Sequence, residues 1–308
     1  MKSESKLHSL NCPGKRVQRG VTLAILLWFL AALSLLAATI MYTARVDIKM
    51  AQMHRQQAEV EALGDGAIQL ALADLQIAKQ QGEYSGRGLF SRQYELAGSL
   101  IAVNLVPVSG LVSINRAPPE LLAALLIGAV DIAPDYAQEL AKNVVEWRSP
   151  ADAGLFENAT LKEADDQYGA RNGRFEAPED LLMVPGINRE IFEQIKDLVY
   201  VAQQEQPGVD WLSAPVSLIM ALGGLDERRA RQVSELRGEG SLGAVELPAD
   251  VDTRFQEDVA SSSMRADALV PAPDRQFIRQ RWVNTAQAGA DGLPWSFFRT
   301  QAARVAGG

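Results

Sequence analysis

The 308-residue sequence predicts an α+β fold: one long N-terminal helix laid on an antiparallel sheet, with an all-α domain inserted between its early and late strands. Three observations predict it. An uncharged apolar run from Val21 to Ala44 passes without a break into an amphipathic helical pattern. Alternating, strand-like runs occur shortly after that pattern and again only near the C-terminus. Between the two groups lies a degenerate repeat with helical periodicity.

The apolar run is 24 residues long, enough for a helix of about 36 Å against a hydrocarbon core of roughly 30 Å. Lys2, Lys6, Lys15, Arg16 and Arg19 precede it against the single acid Glu4, whereas Arg45, Asp47 and Lys49 behind it nearly cancel. This positive-inside bias predicts a single-pass protein with a cytoplasmic N-terminus and an extracytoplasmic bulk. The helix is expected to continue outward to about Leu75. Val46, Met50, Met53, Val60, Leu63, Ala67 and Leu70 share one face while Arg45, Lys49, Arg55, Glu59 and Asp74 take others. Gly64 and Gly66 weaken that expectation, at about 1 kcal/mol each relative to Ala.

A secretory signal would carry a shorter apolar region with its small-residue cut site behind it, but here a Gly stands in front. The simplest reading is a plain signal-anchor helix. A charged leader ending in Gly20, followed by Val21-Thr22-Leu23 and an apolar helix, resembles the class III signal of type IV prepilins and pseudopilins. The resemblance implies that a prepilin peptidase cuts between Gly20 and Val21 and methylates Val21, leaving the helix in the bacterial inner membrane. Most members of that family have Glu at the fifth mature position; here it is Ile25. A carboxylate inside a bilayer is costly unless paired, and lack of it resembles the minor subunit K of type II secretion systems, which implies a place at the fibre tip.

Composition narrows the chemistry. The net charge is -8; without residues 1–20, 25 basic residues face 37 acidic ones, giving -12. Such a chain repels phosphate backbones and points to no nucleic-acid partner. Cys12 is the only cysteine, no apolar region precedes it as a lipoprotein site requires, and cleavage after Gly20 removes it. With His54 then the only histidine, cysteine-based zinc sites, multi-histidine metal sites and Ser-His-Asp chemistry have no residues to use. The chain is not expected to be an enzyme.

After the turn sequence Gln81 to Gly88, extended runs are expected over Gln93–Ala97 and Leu100–Val106, then over Met264–Val270, Phe277–Thr285 and Trp295–Thr300. Between them, Ala117-Pro118-Pro119-Glu120-Leu121-Leu122, Ala177-Pro178-Glu179-Asp180-Leu181-Leu182 and Ala214-Pro215-Val216-Ser217-Leu218-Ile219 share one pattern. Pro fits a helix start because its missing N–H would have had no intrahelical acceptor. Each copy leads through a turn into a second helical pattern, over Leu126–Arg148, Arg189–Val201 and Glu227–Arg237. These units resemble the helix-hairpin-helix or SAM-like domain of subunit K, inserted into a pilin-like domain. The expected organisation is a leader over 1–20, a transmembrane helix over 21–44, the pilin-like domain over 45–113 and 246–308, and the helical insertion over 114–245. Residues 248–263 read as a linker back to the sheet.

Helix-hairpin-helix units also hold phosphates through backbone N–H groups, so a membrane-anchored DNA-binding or uptake protein is the alternative. Asp131, Asp135, Glu190, Glu193 and Asp226 in or beside the turns count against it. The acidic stretch from Glu157 to Tyr168 offers oxygen ligands for calcium, and its resemblance to a loop of the subunit K family makes Glu163, Asp165 and Asp166 the candidate ligands. Trp211, Trp282, Trp295, Phe297 and Phe298 are expected mainly in the core. Together the resemblances imply a minor pseudopilin in the inner membrane and periplasm. It would cap the pseudopilus of a type II protein secretion system, with the minor pseudopilins I and J and the major pseudopilin as partners.

Overall fold

A computed structural model describes residues 19–150, 172–202, 205–238 and 253–306. The chain divides into two compact units after Ala58. Helix α1, Arg19–Gln80, supplies all that is described of the first unit and enters the second. It runs one turn past the expected end and stops where Gly82 takes φ 75°. There Gly82 N–H donates to Lys79 O (3.2 Å) and Glu83 N–H to Ala78 O (2.8 Å). This paired closure of the last carbonyls needs a left-handed residue, which glycine supplies without a Cβ clash.

In the second unit, β1 (Phe90–Leu96), β2 (Ser99–Pro107), β5 (Ser263–Pro271), β6 (Gln276–Asn284) and β7 (Ser296–Thr300) form an antiparallel sheet in the order β1-β2-β5-β6-β7. Strand β8 (Arg304–Val305) pairs with the start of β6. Ala97 and Gly98, both at positive φ, make the two-residue turn between β1 and β2, whose hand matches the twist of the strands. The late strands enter beside the early ones through the β2–β5 pairing, Ala102↔Leu269 to Pro107↔Met264. The expected α+β class is therefore the one observed.

Alternation places Ile101, Val103, Leu105, Met264, Ala266, Ala268, Val270 and Val283 on one face. They meet Val60, Ala67, Ile68, Ala71, Leu72, Leu75 and Ala78 of α1. Each of the larger side chains contributes on the order of 2 kcal/mol by leaving water. On the opposite face Trp282 packs with Val106, Val108, Leu111 and Tyr200. The sheet thus lies between α1 and a block of helices.

That block comprises β3 (Val112–Ser113), α2 (Pro119–Val130), α3 (Pro134–Arg148), a 3-10 turn over Pro178–Met183, α4 (Arg189–Ile195), β4 (Val199–Tyr200), α5 (Val216–Gly223) and α6 (Glu227–Gly238). The first two copies of the repeat open at a proline and the third just after Pro215, its N-cap, but the second makes a 3-10 turn rather than an α-helix. Two expected helical segments are shorter than their periodicity. Residues 126–130 belong to α2, which ends at left-handed Asp131 with φ 58°, so the next helix begins only at Pro134. Helix α4 stops at Ile195 because Val199 and Tyr200 pair in parallel with Val112 and Ser113. Leu121, Leu125, Leu140, Val144, Phe175, Trp211, Leu218 and Ala230 fill the core of the block.

Candidate functional site: an exposed apolar helix and the seat of its continuation

In the first unit α1 is uncovered. From Thr22 it contains a window of mean hydropathy 2.5 with none of its residues buried, long and apolar enough to cross a membrane. Two of its hydroxyls bond within the helix: Thr39 Oγ1 donates to Leu35 O (2.8 Å) and Thr43 Oγ1 to Thr39 O (3.0 Å). Such back-bonding lets a polar side chain enter hydrocarbon without an unpaired donor. Gly20 and Val21 lie within α1. Ile25 is 51% exposed on this part of the helix.

In the second unit the same helix is held by polar contacts along its margins. Arg279 of β6 donates to Asp65 through Nε (2.8 Å) and Nη2 (3.0 Å), and lies 3.6 Å from Glu61. Hydrogen bonding to Asp65 holds its guanidinium above the ordinary pKa. Gly64 admits this arginine: a Cβ there would stand 2.6 Å from Arg279 Cβ. Tyr94 OH donates to Asp74 (2.6 Å), Trp295 Nε1 to Gln69 (3.0 Å) and Lys79 Nζ to Thr285 (2.8 Å). Burial lowers the pKa of Lys79.

A second polar cluster joins the helical block to the sheet layer. Asp210, fully buried, accepts from Arg87 Nη2 (2.7 Å), Ser213 Oγ (2.6 Å) and Leu212 N–H (3.3 Å). Arg87 also reaches Asp258 at 2.7 Å. The segment after Thr253, read from sequence as a linker, is docked here: Val209 N–H donates to Phe255 O and Glu257 N–H to Val209 O. Arg304 pairs with Asp197, Arg299 with Glu179, and Arg265 donates to Asp197 O. Arg148 gives its guanidinium to Ile114 O and Ala117 O, and burial lowers its pKa to about 10.

Polar residues at two of the turns act locally. Asp226 Oδ1 accepts from Arg229 N–H (2.8 Å), and Asn188 Oδ1 from Ile191 N–H (2.9 Å), each satisfying a donor at a helix start. Trp211, Trp282 and Trp295 are buried, while Phe298 is exposed. Glu163, Asp165 and Asp166 lie outside the described residues; among those described, no group of three acidic, histidine or cysteine side chains is placed to hold a metal. Sequence reasoning missed Asp210 and the pairing of Gly64 with Arg279. The only signals were a lone Asp beside Trp and a glycine inside a helical pattern.

These features define an α+β protein whose first helix has an apolar, uncovered N-terminal part and a C-terminal part built into a three-layer domain. The chain is similar in fold to a chain in the crystal structure of the GspK–GspI–GspJ complex from the enterotoxigenic Escherichia coli type 2 secretion system. The TM-score is 0.53 and the identity 17%, with 82% of this chain and 98% of that chain covered. No family model and no curated protein matches the sequence.

Proposed function

We propose that the chain is a minor pseudopilin of the subunit K kind, working in a type II protein secretion system. The shared fold carries this reading: the likeness to a chain of the GspK–GspI–GspJ complex spans nearly all of that chain. The uncovered apolar part of α1 supports an inner-membrane anchor, exchanged from lipid into a bundle of related helices as the fibre grows. The prepilin peptidase cuts after Gly20 and methylates Val21. The partners are the minor pseudopilins I and J and the major pseudopilin.

Ile25 supports a place at the tip. A subunit with nothing above it has no N-terminal ammonium to neutralise, so an aliphatic residue replaces a carboxylate that would be left unpaired in hydrocarbon. The helical block covers one sheet face and supplies the bulk that stops further stacking. Full-length chain co-expressed with subunits I and J is expected to co-purify with both from detergent-solubilised membranes. Absence of that complex contradicts the reading.

Calcium is proposed at the acidic stretch. Glu163, Asp165 and Asp166 offer carboxylate oxygens, the donors that calcium takes. Calcium is expected to raise the melting temperature of the full chain, and the combined Glu163→Gln, Asp165→Asn and Asp166→Asn variant to lose that rise. Equal melting of the unaltered chain in calcium and in chelator removes the proposal.

A further inference from the structure

A groove of about 840 Å³ opens where the helical block meets one end of the sheet. Its sheet wall is a row of neutral hydrogen-bonding side chains on three adjacent strands. Ser263 pairs with Asn284, and Asn284 with Ser296, with Gln287 just beyond. At the strand spacing of about 4.8 Å, this row is roughly 10 Å long. Phe298, the extra residue of β7 where its pairing with β6 shifts register, lines the same groove. The residue is 46% exposed, and its ring lies 6.4 Å, centroid to centroid, from that of the buried Trp282. Phe175, Val201 and Ala202 contribute apolar surface from the block.

Two charged residues line the groove, Arg174 and Glu176. Arg174 is paired with Glu205 at 2.6 Å, and Glu205 also accepts from Asn115 Nδ2 and Ala202 N–H. Hydroxyl and carboxamide groups remain; Asn284 uses its Oδ1 on Ala286 N–H, and its amide nitrogen keeps two donors. The Glu176 carboxylate adds an acceptor for a ligand hydroxyl, and the other polar groups of the sheet wall are neutral.

From this combination we propose that the groove binds a neutral saccharide. A pyranose presents an apolar C–H face, which matches a half-exposed aromatic side chain beside a buried indole. Its hydroxyls both donate and accept, which matches serine and carboxamide side chains a strand apart. The volume falls within the range for small-ligand sites, about 300–1,000 Å³, and admits one or two sugar rings. This reading is independent of the proposed assembly function.

The test is titration calorimetry on the full-length chain in a detergent without a sugar headgroup. The probes are tetramers of N-acetylglucosamine and of glucose, raised to about 10 mM because a millimolar Kd is worth only about 4 kcal/mol. Binding of at least one probe is expected, with affinity reduced tenfold or more by Phe298→Ala and by Asn284→Ala and unchanged by Leu100→Ala, an exposed residue outside the groove. Unchanged thermal melting shows that each variant folds. If Phe298→Ala does not fold, Asn284→Ala and Gln287→Ala carry the test. No binding of either probe, or equal affinity in the groove variants, overturns the proposal. So does concentration-dependent self-association lost in those variants without saccharide binding, which would make a second copy the occupant.

Discussion

Gly64 and Arg279 show how a residue that weakens a helix is required by the sheet beside it. Gly64→Ala, which in an exposed helix would stabilise by about 1 kcal/mol, is expected to lower the melting temperature because the new Cβ meets Arg279 Cβ and Cγ. At Asp210 the direction is equally definite. Arg87→Met leaves a buried carboxylate without its charged partner, a change that costs about 3–5 kcal/mol. Asp210→Asn is expected to cost less, since it removes the buried charge and keeps hydrogen-bonding capacity. Denaturant unfolding of the two variants orders them, and equal stability to the unaltered chain contradicts this assignment. Asp258, on the same arginine, has its pKa lowered by the hydrogen bond from Gln256 and then by Arg87. A depressed folded value means that its contribution is present above the ordinary carboxylate pKa and is lost as pH falls through the folded one. Asp258→Asn should therefore flatten the acid limb of the stability profile.

At the scale of elements, the parts with a long repeating signal were legible and those held by single contacts were not. The apolar run, the alternation of Ile101, Val103 and Leu105, and the prolines of the repeat each state a local preference that the fold keeps. The breaks inside the helical block depend on tertiary structure. Asp131 accepts a left-handed conformation that a sequence pattern assigns first to glycine, and the pairing of Val199–Tyr200 with Val112–Ser113 joins segments far apart in the chain. The docked segment after Thr253 looked like a linker because its bonds are mostly to backbone atoms, which composition does not reveal. Gly128 belongs with these. A Cβ there would collide with the carbonyl of Ala221, so α2 and α5 approach through that glycine. Gly128→Ala is expected to separate these helices and lower the melting temperature by several degrees; unchanged melting would contradict the close approach.

For the whole molecule, the membrane-spanning potential of α1, its seat on the sheet and the helical block make sense together if the helix is kept after processing and exchanged between lipid and a bundle. The candidate site was legible in part: the apolar run that forms the uncovered part of α1 stands out because its signal lies in order along the chain. The groove was invisible, since Ser263, Asn284 and Ser296 come together only through strand register. The central claim is a trimmed and retained N-terminal helix. Intact-mass and N-terminal peptide spectrometry of the protein from membranes, with and without the prepilin peptidase, tests it most directly. The expected result is a chain beginning at N-methylated Val21 that reverts to the full leader when the peptidase is absent. A mature chain still beginning at Met1, or cut beyond Ala44 with the apolar helix lost, would contradict it.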